Sequence, residues 1–289
     1  MILRELVRDV ERRLRKARLH YGHGTSNAHD EAVFLVLRGL GLPFDAAATR
    51  PVAAREQARV ARLAQRRIRE RIPLPYLLHE AWLADEPFYV DHRVIIPRSH
   101  IAELLQGGLR PWLRRPVRNV LDLCTGSGCL AILAAKAFPR AQVDASDLSA
   151  AALAVARRNV TRHRMRGRVR LLRSDLMRGL GERRYDLILS NPPYVTAPAM
   201  RALPREYRHE PRKALAGGAD GLDLVRTILE QAPTHLHARG LLVCEIGASR
   251  RALERAYARV PFVWPQVAAG SGQVLVVARE ELPRAEKMG

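Results

Sequence analysis

From Val117 onward one rhythm repeats: a short apolar run, a turn marked by Gly or Asp, then a helix-forming stretch. The apolar runs are residues 119–123, 142–145, 169–172, 187–189 and 241–246, and residues 262–264 and 273–278 complete the series. Parallel strands need a crossover of a dozen or more residues, usually a helix, so this alternation specifies a parallel sheet with helices on both faces. The expected fold is α/β, a doubly wound sheet of seven strands. Ligands of such sheets bind beyond the carboxyl ends of the strands, and every unusual motif of this chain sits at such an end.

The first strand runs into Asp122-Leu123-Cys124-Thr125-Gly126-Ser127-Gly128. Glycines at 126 and 128 let the backbone pass close to a ligand and turn into a helix. Position 131 is Ala and position 124 is Cys, so the loop is not the dinucleotide G-x-G-x-x-G, and it lacks the Gly-Lys-Ser/Thr of a P-loop. Diphosphate cofactors are disfavoured. Asp147 ends the second strand, where a carboxylate can accept hydrogen bonds from both ribose hydroxyls of a nucleoside. Asp175, beside Ser174 at the end of the third, is placed to read an adenine amino group. The bland alternative is that both aspartates cap the following helices, but Ser149 can serve as the cap after Asp147.

The most specific string is Ser190-Asn191-Pro192-Pro193-Tyr194, after the fourth strand. Two prolines donate no backbone hydrogen bond and force a rigid, extended path, which fixes Asn191 and Tyr194 in orientation. The Asn191 amide oxygen and the Pro192 carbonyl both accept hydrogen bonds, and a tyrosine ring offers a stacking face. Two acceptors converging on one NH₂ group define a site for a planar amino or amide nitrogen.

Ahead of the sheet, residues 1–80 read as a small helical domain. Leu3, Leu6, Val7, Val10 and Leu14 recur at three- and four-residue intervals in a helix from about residue 2 to 19. A glycine-containing turn at 21–27 follows, then a second helix with Asn27 as N-cap. A third runs from Pro51 to residue 72, and Pro73 and Pro75 are expected to stop it. Residues 81–98 read as a β-hairpin linker, with strands around an Asp85-Glu86-Pro87 turn and a further strand at 94–96, ending at Pro97-Arg98. A helix at about 99–106 opens the second domain, 99–289.

The formal net charge is +20, from 49 basic and 29 acidic residues. Residues 157–184 hold eleven arginines against Asp175 and Glu182, a local net of +9. This segment is either a solvated face or a patch that meets RNA. The three cysteines (Cys124, Cys129, Cys244) build no disulfide framework. The charged N-terminus lacks the apolar core of a signal peptide, and no run of eighteen apolar residues occurs, so a cytoplasmic protein with no membrane partner is expected. His20, His23 and His29 have no accompanying cysteine, and no metal site is assigned to them. Glu206, Tyr207 and Glu210, with Arg205 and Arg208, form a polar stretch expected either to cover the substrate or to be an ordinary surface loop.

The glycine turn, the strand-end Asp147 and Asp175, and Asn191-Pro192-Pro193-Tyr194 resemble the S-adenosylmethionine-dependent methyltransferases with a Rossmann-like, seven-stranded sheet. The helical domain, the hairpin and Pro97-Arg98 are similar to the HemK branch, which methylates the side-chain amide of glutamine in proteins. Residues 21–32 and 206–211 are most similar to the members of that branch whose substrate is the large-subunit ribosomal protein L-three. The resemblance covers roughly residues 19–278 and departs from the pattern at Cys124, a glycine in many methyltransferases, and at Leu176, an aromatic in the release-factor enzymes.

The resemblance implies that S-adenosylmethionine is held by Asp122, Cys124, Thr125, Gly126 and Gly128, by Asp147 and Leu148, by Ser174, Asp175 and Leu176, and by Asn191. It implies catalytic roles for Asn191, Pro192, Pro193 and Tyr194, with the target nitrogen positioned by hydrogen bonds and no strong base required. The expected partner is a ribosomal protein, with ribosomal RNA or an assembling large subunit met through the basic surface, and the helical domain selecting the substrate. The competing readings are glutamine methylation of release factors, adenine amino-methylation on nucleic acid, and an RNA-binding assembly factor with a vestigial fold.

Overall fold

A computed structural model describes residues 1–113, 115–268 and 270–283. Helices α1 (Leu3–Lys16), α2 (Ala28–Gly39) and α3 (Ala54–Glu70) form where the apolar spacing places them. Leu3, Leu6, Val10 and Leu14 are the buried stripe of α1, packed on Leu35, Val36, Val60 and Ala64. Asn27 caps α2 by accepting the Asp30 N–H at 2.9 Å. Pro75 does not merely end the third helix. It sits in the first turn of a further helix, α4 (Leu74–Leu78), where its missing N–H has no partner to lose.

Strands β1 (Ala81–Leu83) and β2 (Glu86–Phe88) pair antiparallel, with Leu83 opposite Glu86. The turn is therefore Ala84-Asp85, not 85–87; both residues have positive φ (50° and 61°), as a two-residue hairpin of matching twist requires. Residues 94–96, expected as a strand, pair with no strand. Their polar groups go to side chains instead: the Ile96 N–H donates to Glu210 and the Val94 carbonyl accepts the Tyr76 hydroxyl.

The second unit begins with α5 (Ile101–Gln106) and continues as β3 (Asn119–Leu123), α6 (Cys129–Ala137), β4 (Gln142–Asp147), α7 (Ala150–Arg162), β5 (Val169–Arg173) and β6 (Tyr185–Ser190). It ends with α8 (Ala197–Ala202), α9 (Asp223–His235), β7 (Leu236–Glu245), α10 (Arg250–Ala256), the two-residue pair β8 (Gln266–Val267) and β9 (Gly270–Ser271), and β10 (Val274–Ala278). The central sheet has the order β10-β7-β6-β3-β4-β5, parallel except for β10. Alternate residues face opposite layers: Val120, Val143, Leu187 and Val243 meet α5 and α6, while Leu121, Ile188 and Leu242 meet α9.

The seventh strand is not there. Val263 makes one antiparallel bridge with Val276 of β10 (N–H to carbonyl 2.9 and 2.8 Å), and among the described residues the sheet has six strands. Pro261 and Pro265 bracket the run and lack the N–H groups that would extend the ladder. Strand order reverses between β3 and β6, which opens a crevice at their carboxyl ends. Among the described residues no helix is long and apolar enough to cross a membrane.

Candidate active site

The crevice holds a cavity of about 580 Å³ whose wall includes Cys124, Gly126, Asp147, Leu148, Ser174, Asp175, Leu176, Asn191 and Pro193. Four strand ends thus contribute to one space of the size small-molecule sites have. Asp122, Thr125 and Gly128, grouped with these from the sequence, stand behind the loop and not on the wall. The Thr125 hydroxyl and the Ala131 N–H both donate to Asp122 Oδ2, which is 1% exposed. Burial pushes the Asp122 carboxyl up to about 7, and its Oδ1 has no hydrogen-bond partner. Gly128 caps α6 with φ of 79° and lies against Ala156, whose Cβ would be 3.2 Å from an added Cβ. These three residues shape the loop from beneath.

Asp147 ties the loop to β4. Its Oδ2 accepts the Gly126 N–H at 2.9 Å and its Oδ1 the Ser149 N–H at 2.8 Å. A carboxylate has about four acceptor positions, so two remain. Burial raises its pKa, against the two backbone donors. Ser149, not Asp147, caps α7, accepting the Ala152 N–H at 3.1 Å. Ser174 accepts the Gly179 N–H, and half-exposed Asp175 pairs with Arg178 at 3.0 Å. Cys124 and Leu176, the two departures from the family pattern, both adopt positive φ, 56° and 49°. Left-handed backbone at a non-glycine residue costs roughly 1–2 kcal/mol and collects at functional sites.

A second cavity of about 220 Å³ lies on the other side of the motif, lined by Pro192, Tyr194, Arg98 and Tyr207. Asn191 and Pro193 line both cavities. The Asn191 side chain makes no hydrogen bond with any described residue, so its amide is free to receive one from a ligand. Tyr194 is held from below: its ring lies over Gly247, where an added Cβ would come within 2.7 Å, and its hydroxyl donates to Glu245 Oε1 at 2.9 Å. Glu245 is 1% exposed, and its Oε2 accepts the Ser99 hydroxyl and the His100 N–H. Tyr194→Phe is therefore expected to destabilise the protein by about 1–3 kcal/mol, because it strips a donor from a buried carboxylate. Urea unfolding of the two proteins measures this; equal midpoints would show that the hydroxyl anchors nothing.

The polar stretch after the motif is neither a surface loop nor a free cover. A 3-10 turn, Arg205–His209, directs two buried glutamates inward. Glu206 accepts the His20 N–H and Arg71, both at 3.1 Å, with Arg67 3.6 Å away. Burial opposes its ionisation, yet these donors hold its pKa below the ordinary value. Glu210 accepts the Ile96 N–H at 2.9 Å and both Arg98 nitrogens at 2.6 and 2.7 Å. The residues just beyond, Pro211 to Ala214, form part of the larger cavity's wall. The segment is a clasp between helical domain, linker and crevice. Sequence reasoning missed Glu245 and the Arg93–Ile95 wall, and it did not join Glu210 to Arg98, because these partners lie far apart along the chain. Part of the basic segment is engaged within the chain: Arg168 donates to the Ala135, Phe138 and Ala141 carbonyls, Arg170 pairs with Asp144, and Arg158 lies 3.6 Å over the Tyr89 ring.

Fold and crevice define a methyltransferase domain, and residues 108–206 match the methyltransferase small domain family. Over 285 residues the chain is 53% identical to the ribosomal protein uL3 glutamine methyltransferase of Bordetella pertussis, covering 97% of this chain and 96% of that one. It is 49% identical to the protein of the same name from Neisseria gonorrhoeae, covering 97% and 95%. The chain belongs to the ribosomal protein uL3 glutamine methyltransferase family. The hMettl16 catalytic domain, solved in complex with MAT2A 3'UTR hairpin 6, shares the fold at 14% identity and a TM-score of 0.51, covering 78% of this chain and 81% of that chain.

Proposed function

We propose that this enzyme transfers the methyl group of S-adenosylmethionine to the side-chain amide nitrogen of a glutamine in ribosomal protein uL3. The observation that carries the reading is Asn191, whose unengaged amide stands where two cavities meet. The names of the relatives supply the substrate, and the larger cavity fits the cofactor. Asp147 retains acceptor positions suited to ribose hydroxyls, Asp175 suits an adenine amino group, and Leu148 and Leu176 flank with apolar surface. Cys124, Gly126 and Ser174 complete the holding set, while Asp122, Thr125 and Gly128 keep the loop in shape.

When bound, S-adenosylmethionine supplies an electrophilic methyl group on a sulfonium. An amide nitrogen is a weak nucleophile because its lone pair is delocalised into the carbonyl. Asn191 Oδ1 and the Pro192 carbonyl accept its two N–H bonds and so orient the lone pair, while Pro193 keeps that corner rigid and the Tyr194 ring bounds the acceptor side. Positioning of this kind can supply on the order of 7–11 kcal/mol; the nitrogen becomes strongly acidic as it is methylated and gives its surplus proton to water, so no side chain need act as a strong base. The helical domain, 1–80, is the unit we assign to substrate selection, and the outward arginines of 157–184 to contact with ribosomal RNA.

The test supplies S-adenosylmethionine labelled on the methyl group together with uL3, a release factor, or an adenine-containing hairpin. Label on a uL3 glutamine, located by mass spectrometry, is the expected result. Label on nucleic acid, or on the release factor in preference to uL3, would overturn it.

A further inference from the structure

The turn between α1 and α2 carries His23 into the molecule. Its side chain is 3% exposed, and neither ring nitrogen has a hydrogen-bond partner among the described residues. The nearby Glu210 Oε1 is 3.9 Å away and already engaged by Ile96 and Arg98. Burial, together with the positive charges of Arg98 and Arg67, lowers its pKa to about 3. The neutral ring therefore offers one donor and one acceptor. A buried polar group without a partner is rare and calls for an explanation.

His23 is also among the residues that wall a third cavity, about 480 Å³, between the helical domain and the hairpin, with its ring turned into the protein behind that wall. Phe34, Phe44, Leu74 and Trp82 give it an apolar lining. Phe44 stacks on Phe34 at 6.1 Å and meets the Trp82 edge at 5.3 Å, yet 51% of it faces solvent. A concave apolar wall with an exposed aromatic at its mouth is the make-up of a binding site. Its position is equally telling. The His23 ring packs against Tyr207 at 4.4 Å, and Tyr207 lines the small cavity beside Asn191. Two rings are all that separates the two spaces, and an extended chain advancing about 3.3 Å per residue spans that thickness in roughly 3–5 residues.

We propose that this cavity receives a large apolar side chain of the protein substrate, a few residues along the chain from the modified glutamine. The inference rests on the glutamine-methyltransferase reading and supplies what the acceptor cavity lacks. An amide pocket sees a group that every protein offers; a neighbouring apolar pocket sees the company that amide keeps.

The test measures methylation of purified uL3 by the full chain and by Phe44→Ser and Val33→Trp. The first removes a half-exposed aromatic and leaves the core intact; the second fills the cavity. Both are expected to raise KM for uL3 about 10- to 100-fold with kcat retained, the loss of one buried apolar side chain. S-adenosylmethionine affinity, read by calorimetry, should be unchanged in both. A KM for uL3 unaltered in both folded variants overturns the proposal. So does a fall in cofactor affinity that parallels the rise in KM, because the cavity would then serve the cofactor or the fold. Failure of the underlying reading looks different: the wild-type enzyme itself would place no methyl group on uL3, and the proposal would fall with it.

Discussion

Asn191→Ala is expected to lower methyl transfer by about 10²–10³-fold or more, the usual effect of deleting one preorganised polar group at a reacting centre. Stability should barely change, because the side chain makes no hydrogen bond with any described residue and sits partly exposed between two cavities. Single-turnover kinetics with enzyme in excess would isolate the chemical step, and urea unfolding would check the fold. A variant that turns over at a near-normal rate would remove Asn191 from the reaction. The Pro192 carbonyl, the second acceptor, cannot be deleted by side-chain substitution, so a small residual rate is expected.

Asp147→Ala should act on the cofactor and not on the acceptor. Two charge-assisted hydrogen bonds to a ribose are lost, each worth about 1.5–3 kcal/mol, and the Gly126 and Ser149 N–H groups lose their acceptor as well. Affinity for S-adenosylmethionine should fall by roughly 10²-fold at least, with Asp147→Asn in between because it retains one acceptor oxygen. Calorimetry decides this directly. Unchanged affinity in the alanine variant would mean that Asp147 serves only to tie the glycine loop to β4.

The parts of the fold legible in the sequence were those with a short-range cause. The stripe Leu3-Leu6-Val10-Leu14 marks one helix face, the alternation of Val120, Leu121, Leu187 and Ile188 marks a sheet covered on both sides, and Asn27 and Ser149 mark helix starts. Two apolar runs were misread. Residues 262–264 and 94–96 have strand composition, but flanking prolines limit the first, and side chains take the polar groups of the second. At the crevice, Asp147, Asp175 and Asn191 stand out by their position at strand ends, while Cys124, Leu148 and Leu176 enter through the family resemblance; the structure places all six on one cavity wall. What escaped were groups whose meaning depends on distant partners. Glu245 meets Tyr194 across 51 positions and Glu210 meets Arg98 across 112. Asp122, Thr125 and Gly128 were grouped with the cavity wall for the opposite reason: they lie so close to the loop that sequence cannot separate its front from its back.

The buried glutamates of the clasp bear on how an enzyme of this kind can be retargeted. Exchanging residues 1–80 for those of a relative with another substrate looks simple, since the boundary falls just ahead of a hairpin. Yet Glu206 lies in the second half of the chain, while His20, Arg67 and Arg71, which satisfy it, lie in the first. A chimera that brings in a mismatched first half strands a carboxylate that is 2% exposed. Breaking such a buried pair costs about 3–5 kcal/mol, a large share of the 5–15 kcal/mol that keeps a domain folded. A viable exchange must carry residues 205–214 along with 1–80, and the last four of them wall the crevice. The helical domain and part of the crevice wall are thus transplanted together or not at all.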